Sequence, residues 1–164
     1  MRAWIAVIAF SVFALVALFY LAPRNDVVAP QAIFFFLLIL NTYFSISFFS
    51  TKIPVSLRQI AVDTLLVVLY AFLALALGYS LLFPLIATAL FLVATGKYVI
   101  ELGRTTYRET LLRKIYIDVA GASISVLALV VALSGYDVLS AWSFTAIFAA
   151  GNIYWLFVDP MYRV

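Results

Sequence analysis

The sequence predicts an all-α integral membrane protein, a single domain over 1–164 built as a bundle of six transmembrane helices in three consecutive hairpins. Three observations predict this fold. Of the residues, 68% are hydrophobic and only 10% are charged, whereas soluble domains are typically about 25% charged. Six apolar runs have the length of about 20 residues that a helix needs to cross a bilayer. The Lys and Arg residues are concentrated in alternate loops.

The first hairpin comprises predicted spans at 3–22 and 31–50. The stretch PRND at 23–26 ends the first span, and Pro30 precedes the second, where its missing N–H leaves no helical bond unmade. A secretory signal peptide is the alternative for the first run. That run is long for such a signal, however, and Pro23 is poorly placed for cleavage after Ala22. We therefore expect a retained spanning helix.

The second hairpin comprises spans at 59–78 and 80–100, and its turn is the least defined boundary. One continuous helix over 59–100 would be about 60 Å long at about 1.5 Å per residue. The hydrocarbon core of a bilayer is only about 30 Å thick. Gly78 and Ser80 can instead form a tight turn, with Pro84 in the first turn of the next helix. We therefore predict two separate helices.

The third hairpin comprises spans at 115–134 and 138–158, and a charged segment at 101–114 precedes it. We expect this segment to be helical, because Glu109 and Arg113 lie at the i,i+4 spacing at which opposite charges attract on a helix. Small side chains at Gly121 and Ser125 of the fifth span, and at Gly151 of the sixth, allow helix backbones to approach closely. They predict that these two spans pack against each other.

The distribution of basic residues predicts the orientation. Nine of the ten Lys and Arg lie in the group formed by the N-terminus, the second loop, the fourth loop and the C-terminus, and only Arg24 lies in the other group. Lys and Arg are retained on the cytoplasmic side during insertion. Both termini are therefore expected in the cytoplasm, most simply in the plasma membrane of a prokaryote.

Polar residues within the apolar runs predict which helix faces point into the bundle, because polar groups in hydrocarbon need partners. Two interpretations are open. The side chains could line a polar path to a midplane cavity, as in many transporters. They could instead form an interhelical network, with the aspartates paired to nearby arginines. The residues concerned are Asn41, Asp63, Tyr70, Thr88, Asp118, Ser125, Asn152 and Asp159.

Four basic residues of the charged segment form a candidate docking face. This face could bind a cytoplasmic partner or anionic lipid headgroups, or it could be an ordinary solvated surface that only fixes the topology. Its members are Arg104, Arg108, Arg113 and Lys114.

The sequence offers no motif for a catalytic, cofactor-binding or metal-binding site. Cys and His are both absent, which removes disulfides, thiol chemistry and the commonest metal and haem ligands. It has no glycine pattern of a nucleotide-binding loop. The small net charge of +3 fits a membrane topology signal and gives no reason to expect a nucleic-acid partner.

Three functions are consistent with these observations, and they predict different interiors. The first is a non-catalytic membrane subunit that packs against itself or other membrane proteins, with a dry interior. The second is a small-solute transporter or channel, with a cavity that reaches Asn41 and Tyr70. The third is a lipid-headgroup-modifying enzyme, with at least two of Asp63, Asp118 and Asp159 close together and free of arginine. The sequence alone favours the first, because no charged side chain is expected at the midplane.

Overall fold

The computed structural model describes residues 2–50, 56–103 and 107–161, and every regular element in them is helical. Within these residues, six helices are long and apolar enough to cross a membrane. The predicted all-helical class, with six helices of spanning length, is therefore confirmed. The helices are α1 (Arg2–Val16), α2 (Val28–Phe49), α3 (Leu57–Leu75), α4 (Leu82–Glu101), α5 (Arg108–Leu133) and α6 (Asp137–Ile153).

The helix boundaries differ from the apolar runs where polar residues continue a helix. Helix α5 begins at Arg108, seven residues before the apolar run at 115, so the second half of the charged segment forms its first turns. Helices α1 and α6 each continue into a π-helical turn, over Ala17–Leu21 and Tyr154–Val158. These turns bring both helices to spanning length.

The six helices form a closed ring. In order around it, α1 packs on α2, α2 on α6, α6 on α5, α5 on α4, α4 on α3 and α3 on α1. Helices α2 and α4 end, and helices α3 and α5 begin, at the same end of the bundle. We call this the charged end. Because neighbours in this ring come from all three hairpins, its interior is lined by residues far apart in the chain.

Aromatic side chains fill the ring interior away from the charged end. The Phe34 ring lies 4.3 Å, centroid to centroid, from both Phe144 and Phe148 of α6, and it meets Phe83 and Phe91 of α4 edge-on. We call these five residues the Phe34 cluster. Stacked and edge-to-face pairs add to the stabilisation from burial, so this part of the interior is closed.

Helices α4 and α5 approach closely at Gly121. A Cβ atom on Gly121 would lie 2.9 Å from the Phe91 ring, which is shorter than any normal carbon–carbon contact. Gly121 therefore faces α4. The predicted packing of the fifth and sixth spans is also present in the ring, but it does not occur at this glycine. Gly151 of α6 has no such neighbour within 4 Å.

We expect Gly121→Ala to destabilise the protein by about 1–3 kcal/mol, because the Phe91 ring or a helix must shift to accept the methyl group. The matched control is Gly151→Ala, which adds the same methyl group to open space. It should be neutral or stabilise by up to about 1 kcal/mol, since alanine favours a helix. Unfolding in detergent measures both, and an equal effect of the two substitutions would contradict the packing described here.

Candidate functional site

A cavity of about 520 Å³ occupies the charged half of the ring. All six helices contribute to its wall, which is mostly apolar, and Phe91 and Phe148 of the Phe34 cluster lie at its inner end. Several lining residues are exposed, including Ile60 and Val67 of α3. The cavity is therefore open along α3 near the charged end and closed toward the opposite end. Its volume is within the range of ligand-binding pockets, about 300–1,000 Å³.

An ion pair lies at the rim of the cavity. Lys97 Nζ of α4 donates to Asp63 Oδ1 of α3 at 2.6 Å. The Asp63 side chain is 46% exposed, while that of Lys97 is 16% exposed. Because one partner is half-exposed, the charges of this pair can be reached from the cavity mouth, and we expect the pair to stabilise the fold less than an enclosed one.

A second ion pair lies deeper and is enclosed. Lys114 Nζ donates to Asp118 Oδ1 at 2.6 Å, one helical turn along α5. The side chains are only 9% and 1% exposed, and Asp118 Oδ2 has no hydrogen-bond partner among the described residues. A buried charge of this kind is tolerated only because its partner neutralises it.

An amide pair connects this buried ion pair to α2 and α6. Lys114 Nζ also contacts Asn41 Oδ1 at 3.4 Å. Asn41 Nδ2 donates to Asn152 Oδ1 at 2.8 Å, and Asn152 donates in turn to the Phe148 carbonyl oxygen at 2.9 Å. These bonds link three helices of the ring beside the inner end of the cavity.

Hydroxyl groups complete the polar wall. Tyr70 of α3 is hydrogen-bonded to Thr42 of α2, and the Ser45 and Tyr98 hydroxyls are 2.6 Å apart. The Tyr98 ring centroid lies 5.7 Å from Lys97 Nζ and 5.9 Å from Lys114 Nζ. Both ammonium groups are therefore near one aromatic ring, within the distance at which cation–π attraction operates.

The residues predicted for a polar path separate into three groups in the structure. Asn41, Asp63, Tyr70 and Asp118 line the cavity, and Asn152 is joined to it through Asn41. Thr88 donates to Ser125 at 2.9 Å, which bridges α4 and α5 outside the cavity lining. Asp159 lies 3.5 Å from Arg113 in an exposed ion pair. The structure thus joins part of the predicted set and leaves the rest as helix-to-helix bonds.

One of the four residues of the predicted docking face is not at the surface. Lys114 is buried, because its position one turn before Asp118 directs it toward that carboxylate and the ring interior. The sequence assigned it to the surface, and this was wrong. Arg108 and Arg113 are exposed, and Arg104 lies outside the described residues.

Sequence reasoning missed Lys97, Thr42 and Tyr98 as cavity residues. Lys97 lies at the i,i+4 spacing from Glu101 on its own helix, but it pairs with Asp63 of α3. The available signal was helical spacing: Leu90, Ala94 and Lys97 recur at i, i+4 and i+7, which is one face of α4. Lys114, Asp118, Gly121 and Ser125 follow the same spacing on α5.

Comparison with protein-family models, with curated proteins and with solved structures found no match to this chain. In the residues that the structure describes, no cluster of three or more Asp or Glu side chains is placed to hold a metal ion. The functional interpretation therefore rests on the cavity: an apolar chamber with two Lys–Asp pairs and several hydroxyls.

Proposed function

We propose that this protein is a membrane transporter for a small solute, and that the cavity is its binding site. The observation that carries the proposal is the cavity of about 520 Å³ that reaches both Asn41 and Tyr70. Ligand sites are typically concave and mostly apolar, with a few polar groups that fix orientation. The aromatic packing of the Phe34 cluster beyond the cavity supports a state in which the solute reaches its site from one side only.

The distribution of Lys and Arg supports an orientation with the charged end in the cytoplasm. Nine of the ten basic residues fall, by sequence, at the two termini or around the second and fourth loops, including the adjoining helix ends, and such residues remain cytoplasmic. Both termini are then cytoplasmic, the three hairpins cross the bilayer in turn, and the cavity opens inward. The plasma membrane of a prokaryote is the location proposed for this arrangement.

The two other functions receive less support from the interior. A membrane subunit was expected to have a dry, filled interior, and a chamber of this size argues against that role. An enzyme was expected to have at least two of the three aspartates close together and free of arginine. Asp159 pairs with Arg113. Asp63 and Asp118 are free of arginine, but each is paired with a lysine, Lys97 and Lys114 respectively. Transport therefore accounts for more of the observed features than either alternative.

Thiol labelling tests the proposed cavity and its orientation. The chain has no cysteine, so Ala94→Cys introduces a single thiol into the cavity wall. Ala87→Cys is the matched control: Ala87 lies two turns earlier on the same face of α4, is 0% exposed and packs in the hydrophobic core. We expect a membrane-impermeant maleimide to label the Ala94→Cys variant at least about tenfold faster than the control, because thiol reactivity requires access.

The side of labelling gives the orientation. Inverted membrane vesicles expose the cytoplasmic face, and intact cells expose the opposite face. We expect the Ala94→Cys variant to react in inverted vesicles and to be protected in intact cells. Labelling only in intact cells would reverse the proposed orientation. Protection in both preparations would show that the cavity is closed to water, and the transport proposal would fail.

A further inference from the structure

We propose that the cavity recognises a zwitterionic solute with an apolar body, its anionic group beside the two lysines and its ammonium group at Asp63. This inference rests on the proposed function and names the chemical class of the solute. Three features support it. Lys97 and Lys114 have hydrogen-bond donors without a partner among the described residues, the second carboxylate oxygen of Asp63 has no partner there either, and the charges of the cavity wall balance.

The unused donors lie near Tyr98. An ammonium group has three N–H donors. Among the described residues, Lys97 uses one of them on Asp63, and Lys114 uses two on Asp118 and Asn41. Both Nζ atoms lie within 6 Å of the Tyr98 ring centroid. A carboxylate or phosphate beside this ring would receive charge-assisted hydrogen bonds, which are the strong ones.

The unused acceptor lies at the rim. Lys97 contacts only Oδ1 of Asp63, and the second oxygen has no partner among the residues described. Because this side chain is 46% exposed, a ligand can reach that oxygen. Asp118 cannot serve in the same way, because its side chain is enclosed behind Lys114. A ligand ammonium group is therefore expected at Asp63, adjacent to the anionic position.

The charge balance excludes solutes with a net charge. The cavity wall contains two lysines and two aspartates, already paired. A solute that is only a cation or only an anion would bring an uncompensated charge into a largely apolar chamber, which is unfavourable. A zwitterion adds one charge of each sign. The surrounding apolar residues, such as Leu38, Phe49 and Leu66, provide a surface for its apolar part.

Four probes with the same phenyl-ethyl body test this class: phenylalanine, phenylethylamine, 3-phenylpropionate and 2-phenylethanol. They present a zwitterion, a cation, an anion and a neutral hydroxyl. We expect phenylalanine to bind the purified protein at least about tenfold more tightly than the other three, measured by calorimetry up to about 10 mM. A charged or neutral probe that binds as tightly as phenylalanine, or the absence of binding by all four, would overturn the proposal.

Two substitutions of the exposed rim pair predict opposite shifts in preference. Asp63→Asn leaves one lysine uncompensated, so we expect 3-phenylpropionate to become the tightest of the probes. Lys97→Gln leaves Asp63 uncompensated, so we expect phenylethylamine to become the tightest. The two variants change the same half-exposed pair and serve as controls for each other. An unchanged order of the four probes in both variants would contradict the role of this pair.

The zwitterion could be a water-soluble molecule or a lipid headgroup, because the opening along α3 includes the exposed residues Thr64 and Val67. Competition by short-chain phosphatidylethanolamine against bound phenylalanine would identify the lipid source, and its absence would identify the soluble source. Failure of the class is distinguishable from failure of transport. If the probes do not bind but the Ala94→Cys variant is still labelled in inverted vesicles, only the proposed substrate class is wrong.

Discussion

Lys114→Met is expected to destabilise the protein by about 3–5 kcal/mol, the effect of removing one partner of a buried ion pair. Asp118 is only 1% exposed, and its Oδ2 atom has no partner in the described part of the chain. Without Lys114, its negative charge would be left in an enclosed and mostly apolar site. The free energy of unfolding in mild detergent measures the effect.

The rim pair provides the matched control. Lys97→Met removes the same type of side chain from a contact of the same length, 2.6 Å in both pairs. Asp63 is 46% exposed, so its charge is not enclosed in the protein after the substitution. We expect a loss of only about 0–1 kcal/mol. The difference in unfolding free energy between the two variants therefore measures the effect of burial, because both pairs join a lysine to an aspartate at the same distance.

The double variant Lys114→Met with Asp118→Leu distinguishes ion pairing from loss of packing. Replacing a whole buried pair with apolar residues is often neutral or stabilising by about 1–4 kcal/mol. We expect the double variant to recover most of the stability lost in Lys114→Met. Failure to recover it would mean that the lysine acts through its contact with Asn41. A single-variant loss below about 1 kcal/mol would instead mean that water reaches Asp118.

The sequence was sufficient to predict the helices because hydrophobic length is a local property. Each apolar run corresponds to one helix, and the runs around Gly78 form two helices separated by a turn. The polar stripes also identified Asn41, Asp63, Tyr70 and Asp118, which the structure brings to one cavity. In each case, a polar residue in an apolar helix indicated the inward face.

The two lysines were harder to assign, because a lysine near the end of a spanning helix has two common roles. It can fix the topology from the cytoplasmic side, or it can turn inward toward a carboxylate. Lys114 and Lys97 both turn inward. The inward position of Lys114 could have been predicted from its i,i+4 spacing to Asp118. The inward position of Lys97 depends on which faces of α3 and α4 meet within the predicted hairpin, and no local pattern in either helix reveals those faces.

The cavity itself was beyond sequence reasoning. Its volume is set by how side chains from six helices fill the ring, and contacts such as Asn41–Asn152 join residues 111 positions apart. The Phe34 cluster fills one half of the interior, while smaller and polar residues leave the other half open. A sequence pattern shows which side chains face inward, but not whether they meet.

The turn between α3 and α4 provides the second large stability prediction. Gly78 has φ +86°, a conformation that favours glycine. A Cβ atom there would lie 2.6 Å from Cγ and Cδ of Pro23. The turn is also bonded to the first hairpin, since Gly78 N donates to Gln31 Oε1 at 2.6 Å and Asn25 Nδ2 donates to Gly78 O at 2.8 Å. Alanine at this position therefore combines backbone strain with a steric clash.

Gly135→Ala separates these two effects, because Gly135 has the same φ of +86° but no neighbour within 4 Å of an added Cβ atom. We expect Gly135→Ala to lose about 1–2 kcal/mol from left-handed strain alone. Gly78→Ala should lose about 1–3 kcal/mol more stability than Gly135→Ala, because the rigid Pro23 ring must move away. Unfolding in detergent measures both variants. Equal losses would mean that the Pro23 loop yields freely, whereas a larger loss at Gly78 would show that this turn fixes α3 and α4 against the first hairpin.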